Sequence, residues 1–146
     1  MRQLREIPIR RFGAIVPGQI GVGEARRRFL RAAGRIEPDP VHVTMLMDTG
    51  ATCSWIRQAY MDQLRLVPRT SFGVERVHNI EQNRPGYEIS LILGGVGSLL
   101  TKRFELLIGG AEFTDTQHDG LLGLDILNSL HLGWNGPSQQ LRLSYD

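Results

Sequence analysis

The sequence predicts an all-β domain that is rich in strands and carries one or two short helices. Its apolar residues fall in short runs that alternate with polar residues, which is the period-two pattern of strands with one buried face. Gly and Pro interrupt these runs at close intervals, as the turns between strands require. With 146 residues, of which 41% are hydrophobic, the chain can bury a core of its own. We therefore expect one globular unit.

The N-terminal part of the chain combines strand and helix signals. Residues 4–23 hold Ile and Val broken by Gly and Pro, which predicts one or two short strands. Residues 24–33 place Ala and Phe on one helical face, and Gly34 follows as a residue that can end the helix. We expect residues 1–40 to form a basic strand-and-helix extension that packs on a main domain of residues 41–146.

The charge of this N-terminal part is strongly positive. Its Arg residues before Ile36 are opposed only by Glu6 and Glu24. A basic arm of this kind can bind nucleic acid or an anionic surface. A solvated helix face is the simpler interpretation, because the arm has few aromatic side chains on which bases could stack. A nucleic-acid partner is therefore not expected.

An apolar strand in the second quarter of the chain delivers one carboxylate into a narrow turn. Met45 and Met47 alternate with their neighbours as strand residues do, and the strand stops at Asp48. Thr49 and Gly50 then continue the turn with small side chains, and Gly50 can adopt backbone angles that other residues avoid. A carboxylate at the end of a buried strand is thereby presented at the protein surface.

The elements after this turn alternate between short helices and strands. Residues 59–64 predict a short helix, and residues 72–85 form a polar, loop-like stretch. Residues 87–93 alternate apolar and polar side chains, as a strand does. The Gly-rich residues 94–98 predict a hairpin turn, because no Lys-Ser or Lys-Thr of a phosphate-binding loop follows them.

The last third of the chain predicts strands, a short helix and a terminal strand. Residues 100–108 continue the strands as far as a turn expected at Gly109 and Gly110. Asp125 is placed to cap a short helix that runs to Leu130. Residues 139–145 turn their apolar side chains to one side, as a final strand would.

Two sequence blocks resemble the aspartic peptidases, and the chain length points to their single-lobed, retropepsin-like branch of retroviral-type and bacterial members. The first block is the apolar strand that ends in Asp48-Thr49-Gly50-Ala51-Thr52. The second block follows at the distance that the family requires: Asp119-Gly120-Leu121-Leu122-Gly123-Leu124-Asp125-Ile126-Leu127. The resemblance implies a single-lobed acid protease barrel. It also implies an aspartic endopeptidase activity.

The resemblance assigns roles to particular residues. Asp48 corresponds to the catalytic carboxylate of the family. The residues that would support the turn and the dimer are Thr49, Gly50, Ala51 and Thr52, and the supporting loop behind it is Leu122 and Gly123. The hairpin flap that folds over the substrate would include His78, Asn79 and Ile80. By the same correspondence, residues 139–145 would join the sheet at a dimer interface.

A single Asp-Thr-Gly implies that two chains are needed for catalysis. Hydrolysis of an amide requires one carboxylate that takes a proton from water and one neutral carboxyl that donates to the carbonyl oxygen. Because one Asp cannot do both, the second Asp48 should come from a symmetric partner in a homodimer. The alternative is a catalytically silent module of the same fold that binds peptides or dimerises.

Other kinds of site have little support in the sequence. Four scattered His residues and the single Cys53 give no close spacing typical of zinc sites, so neither a metal nor a cofactor is expected. Cys53 is interpreted as a buried thiol rather than a nucleophile. No apolar run approaches the roughly 20 residues of a membrane helix, and one cysteine excludes an internal disulfide. No membrane partner is therefore expected. The single cysteine fits a reducing compartment, and the resemblance to single-lobed bacterial members implies a cytoplasmic protein.

Overall fold

A computed structural model of the chain describes residues 2–10, 13–74, 82–94, 102–113 and 117–145. Within these residues the strands are β1 Arg2–Arg10, β2 Gly13–Val22, β3 Val41–Met47, β4 Trp55–Arg57, β5 Thr70–Val74, β6 Gln82–Leu93, β7 Arg103–Ala111, β8 Gly120–Leu122, β9 His131–Asn135 and β10 Gln140–Tyr145. The helices are α1 Glu24–Ala32, α2 Gln58–Gln63 and α3 Leu124–Leu127. The predicted β-rich fold with short helices is therefore confirmed. No helix in these ranges is both long and apolar enough to cross a membrane.

A closed barrel forms the centre of the fold. Its strands follow the order β2-β3-β8-β4-β7-β6, and β6 pairs back with β2. The pairs β3–β8 and β4–β7 are parallel, whereas the other pairs are antiparallel. Ile20 of β2 shows the closure, because it lies opposite Val41 on one side and Leu91 on the other. Because of this closure, each of the six strands has a neighbour on both sides.

The barrel interior contains the hydrophobic core. Along β2 the buried and half-buried residues alternate, as the period of a strand dictates. Full burial of each large aliphatic side chain stabilises the fold by about 1.5–3 kcal/mol. The core residues that lie on the barrel strands and are almost completely buried include Ile20, Met45, Ile56, Ile89, Leu91, Ile108 and Leu122.

A smaller terminal sheet extends from the barrel. β1 pairs briefly with β2 and then along most of its length with β10, and β10 pairs on its other side with β9. Leu141, Leu143 and Tyr145 of β10 are buried, so the expected final strand is confirmed. β2 lies in the N-terminal stretch of residues 1–40 and pairs with two barrel strands. Part of that stretch therefore belongs to the barrel itself.

Helix α1 buries a different face from the one that its sequence predicts. Phe29 is 53% exposed, whereas Arg27 and Leu30 are buried. The Arg27 guanidinium donates to Glu37 at 2.8 Å and to Glu24 at 2.8 Å, and these acidic partners make its burial tolerable. The hydrogen bond to Glu37 is also the main reason that the pKa of Arg27 is raised.

One other sequence-based prediction needs correction. Gly109 and Gly110 lie inside β7 and form no turn. A Cβ at Gly109 would lie 2.3 Å from the Trp55 ring, and one at Gly110 would lie 2.3 Å from Gln58 Oε1. These glycines are therefore explained by the close approach of neighbouring side chains. The strand β9, in contrast, was not predicted at all.

The polar stretch of residues 72–85 is partly ordered into strands. β5 and β6 pair as the arms of an antiparallel hairpin, from Thr70 opposite Gly86 to Val74 opposite Gln82. The two ends of the stretch that was predicted to be loop-like are therefore strands. The expected flap residues His78, Asn79 and Ile80 lie outside the described residues.

Candidate active site

The Asp48 turn, defined as residues 48–54, connects β3 to β4. The Asp48 backbone N–H donates to the carbonyl oxygen of Leu122 at 2.9 Å, which fixes the start of the turn to β8. The Gly50 N–H donates to Asp48 Oδ1 at 2.9 Å, and the Ala51 N–H donates to the Asp48 carbonyl oxygen at 3.2 Å. The backbone of the turn therefore orients the half-buried carboxylate.

The small residues of the turn leave the carboxylate accessible. Thr49 and Gly50 are exposed, and Ala51 is half-buried. A Cβ at Gly50 would lie only 3.2 Å from Asp48 Oδ1, so a larger residue would crowd the hydrogen bond to this oxygen. Among the described residues, Asp48 Oδ2 accepts no hydrogen bond from a protein group. This oxygen can therefore interact with a molecule from outside.

The strand β8 passes between the two strands that the Asp48 turn connects. It runs parallel to β3, where Met47 lies opposite Leu122, and antiparallel to β4, where Trp55 lies opposite Leu121. At its end, a Cβ on Gly123 would lie 2.6 Å from the carbonyl oxygen of Cys53. Gly123 therefore allows the second sequence block to touch the backbone of the turn. This contact unites the two blocks that the sequence singled out.

A buried hydroxyl group stabilises the contact between the Asp48 turn and Gly123. Ser54 is 0% exposed, and its Oγ donates to Asp125 Oδ1 at 2.7 Å while it accepts from the Gly123 N–H at 3.0 Å. The Ser54 N–H donates to the other oxygen of the same carboxylate at 2.9 Å. The end of the turn is thus clamped to α3. We call these three residues the Ser54 clamp.

The role of Asp125 differs from the expected one. The N-cap of α3 is Gly123, and Asp125 lies in the first turn, where its Oδ1 accepts from the Ile126 N–H at 2.9 Å. Its carboxylate mainly binds Ser54, across 71 residues of sequence. α3 also ends at Leu127, before the predicted Leu130. Sequence reasoning missed Ser54, although a hydroxyl residue at the end of the turn and an acid two residues after Gly123 were available as signals.

A second carboxylate near the barrel end is occupied by structural contacts. Asp119 accepts from the Thr44 N–H at 2.8 Å and from the Tyr60 hydroxyl at 2.9 Å, and Arg57 Nε lies 3.5 Å from it. Burial, followed by the hydrogen bond to Asp119, raises the pKa of Tyr60. These contacts anchor the start of β8 to β3 and α2. Both carboxylate oxygens of Asp119 are therefore engaged in structural contacts.

The remaining predicted site residues differ in how deeply they are buried and in the groups that they contact. Leu122 is fully buried and contributes its carbonyl oxygen to Asp48. Thr52 is exposed, and its carbonyl oxygen accepts from the Asp125 N–H at 3.3 Å. Cys53 is half-buried rather than fully buried as expected. Within the described part of the chain, no group of three or more His, Cys, Asp and Glu residues could hold a metal ion.

Comparison with known proteins identifies the fold. No family model and no curated protein matches the sequence. Among solved structures, the chain is similar to a retropepsin-like aspartic protease from Rickettsia conorii, with 16% sequence identity and a TM-score of 0.58. The match covers 97% of this chain and 89% of that one. The chain therefore has the retropepsin-like fold that its two sequence blocks imply.

Proposed function

We propose, from the premise that the chain has the retropepsin-like fold, that it is an aspartic endopeptidase. Two copies would form a homodimer in which each contributes one Asp48 to a shared site. The observation that carries the proposal is the position of Asp48. Its carboxylate ends a core strand, is oriented by the Gly50 N–H and has a turn of small residues around it.

The chemistry needs two carboxyl groups in different protonation states. The charged Asp48 takes a proton from a water molecule, which then attacks the carbonyl carbon of the peptide bond. The neutral Asp48 of the partner donates its proton to the carbonyl oxygen. Two carboxylates at hydrogen-bonding distance hold one proton between them, because two full negative charges would repel each other.

The requirement for a second chain follows from the other acids near the site. Asp119 and Asp125 are both engaged in hydrogen bonds to backbone and hydroxyl groups of their own chain. Neither can approach Asp48 without breaking these contacts. A symmetric partner supplies the missing carboxyl group without such a cost.

The proposed substrate is an extended segment of a peptide or protein. By the resemblance, the hairpin of β5 and β6 would serve as the flap that folds over a substrate, and the pairing of its two arms as strands supports this. A substrate in the cleft between such hairpins would form strand-like hydrogen bonds with the backbone. The residues that bind individual side chains of the substrate would set the specificity.

The test compares cleavage of a peptide library by the wild type and by Asp48→Asn. We expect the wild type to cleave and Asp48→Asn to lose activity by at least about a thousandfold while its mass in solution is unchanged. Asp39→Asn is the matched control, because Asp39 is an exposed acid outside the site. Undiminished cleavage by Asp48→Asn would refute the proposal. A dimeric wild type that cleaves nothing would favour the silent peptide-binding module.

A further inference from the structure

A groove lies between helix α1 and the segment that leads from α2 into β5. It has a volume of about 280 Å³. We call it the α1 groove and define it by six residues that line it: Arg26, Phe29, Leu66, Val67, Arg69 and Glu88. None of these residues belongs to the Asp48 turn or to the Ser54 clamp, so the groove is not part of the candidate active site.

Two large apolar side chains of the α1 groove are exposed. Phe29 on α1 is 53% exposed, and Val67 in the facing segment is 69% exposed. Leu66 next to it is half-buried and packs against the core. Exposed apolar side chains that lie together are typical of surfaces that bind another molecule. The α1 groove can therefore bury an apolar group of a ligand.

The orientation of α1 supports a binding role for Phe29. The helix buries the Arg27 guanidinium with two acidic partners and leaves the Phe29 ring outside. Packing alone would favour the opposite arrangement, because burial of a ring stabilises a fold whereas burial of a charge costs free energy. The exposed ring is explained if another molecule covers it.

One guanidinium group of the α1 groove has no acidic partner. Among the ion pairs of the described residues, none includes Arg26. Its Cζ lies over the Phe29 ring, 5.2 Å from the ring centre. Arg69, in contrast, pairs with Glu88 at 3.3 Å. A guanidinium that stacks on a ring can still donate to a carboxylate, so the uncompensated charge favours an acidic ligand.

We propose that the α1 groove binds a short segment of a partner protein in which an acidic residue lies next to an apolar one. The apolar side chain packs against Phe29, Leu66 and Val67. The carboxylate binds the guanidinium of Arg26. This inference goes beyond the proposed peptidase activity and does not depend on Asp48.

The size and charge of the α1 groove favour a protein segment over other ligands. Nucleic acid would need several phosphate contacts, whereas the groove offers one uncompensated arginine and contains the acidic Glu88. Its volume also lies just below the roughly 300–1,000 Å³ of small-molecule pockets. A groove of this size covers only a few residues of a segment. The complex should therefore be weaker than those that bury roughly 800 Å² on each partner.

The first test identifies peptides that depend on the α1 groove. A random peptide library displayed on phage would be selected on Asp48→Asn, the variant that should not cleave its ligands. Counter-selection on the double variant Asp48→Asn with Arg26→Glu would remove peptides that bind elsewhere. We expect the remaining peptides to carry Asp or Glu beside Leu, Ile or Phe. An empty selection, or peptides without an acidic residue, would refute the proposal.

The second test measures the affinity of the most enriched peptide by fluorescence polarisation in the same Asp48→Asn background. Phe29→Ser should raise the dissociation constant by about tenfold or more, because the peptide loses its aromatic contact. The controls Arg31→Glu and Ile36→Ser should bind as Asp48→Asn does, since both residues are exposed and neither lines the groove. Unchanged binding by Phe29→Ser, or an equal loss in the controls, would contradict the proposed contacts.

The third test locates the peptide without any substitution in the α1 groove. Amide NMR shifts of Asp48→Asn would be followed during titration with the same peptide. We expect the largest changes at residues 25–30 and 66–69. Changes confined to the Asp48 turn would place the peptide in the candidate active site and refute the α1 groove as its binding site. This measurement stays decisive even if Phe29→Ser or Arg26→Glu lowers the melting temperature.

Discussion

Ser54 determines how firmly the Asp48 turn is held. Its hydroxyl both donates to Asp125 and accepts from the Gly123 N–H, so one oxygen joins the turn to the loop behind it. The residue is completely buried, and water cannot replace the lost bonds without entering the core. Loss of this hydroxyl group should therefore lower the free energy of unfolding and disturb the alignment of Asp48.

Replacing Ser54 by Ala should lower the free energy of unfolding by about 1–3 kcal/mol, because the Gly123 N–H loses its acceptor in a buried position. Urea denaturation would measure this change. Ser129→Ala is the matched control, since Ser129 is exposed and should change stability by less than about 0.5 kcal/mol. Equal unfolding free energies for the two variants would show that the clamp contributes nothing.

The sequence singled out Asp48 and Gly123 but not Ser54, for a physical reason. The residues around Asp48 form a contiguous local pattern, whose strand and turn can be read without knowing the fold. Ser54 acquires its role only when Asp125 is brought to it from 71 residues away. The same limit explains Asp125, whose expected capping role is local and whose observed role is not.

Helix α1 shows how charge can override apolar periodicity. The sequence predicts that Phe29 faces inward, yet Arg27 is the buried residue. Ion pairs in a triad of Arg27 with Glu24 and Glu37 compensate for the burial of the Arg27 charge. Glu37 lies after the end of the helix, so the periodicity of the helix gives no sign of this contact. β9 escaped prediction because its five residues hold only two large apolar side chains.

Glu24, one of the two acids of this triad, makes the stability of the fold depend on pH. Hydrogen bonds from Arg28, and then from Arg27, lower the pKa of Glu24 below its ordinary value. A lowered carboxyl pKa stabilises the fold above the ordinary pKa, and this contribution is lost as the pH falls through the folded value. Glu24→Gln should therefore have a lower melting temperature than the wild type near neutral pH, and the difference should shrink in acid, as the pH falls below the ordinary glutamate pKa of about 4.3.

Thermal melts at several pH values would check this prediction. Glu112→Gln is the control, because Glu112 is exposed and forms no ion pair with any residue in the described part of the chain. The melting temperature of this control should stay close to that of the wild type at every pH. A difference between Glu24→Gln and the wild type that grows as the pH falls would contradict the assigned role of the triad.

The closed barrel depends on pairings between strands that are far apart in the chain, and no local sequence pattern reveals these pairings. Individual strands such as β3 and β10 could be predicted from their alternation. The pairing of β2 with β6, which closes the barrel, joins segments about 70 residues apart and brings part of residues 1–40 into the core sheet. The order of the terminal sheet likewise places β9 at its edge and β10 between β9 and β1.

The central claim is that two chains share one catalytic site, and subunit mixing tests it most directly. Increasing amounts of Asp48→Asn would be added to a fixed amount of wild type, and peptide cleavage would be measured after exchange. We predict that cleavage falls progressively, because each mixed dimer contains only one Asp48 carboxyl group. Wild-type cleavage that stays constant under a large excess of Asp48→Asn, while mixed dimers are detected by mass, would contradict the account.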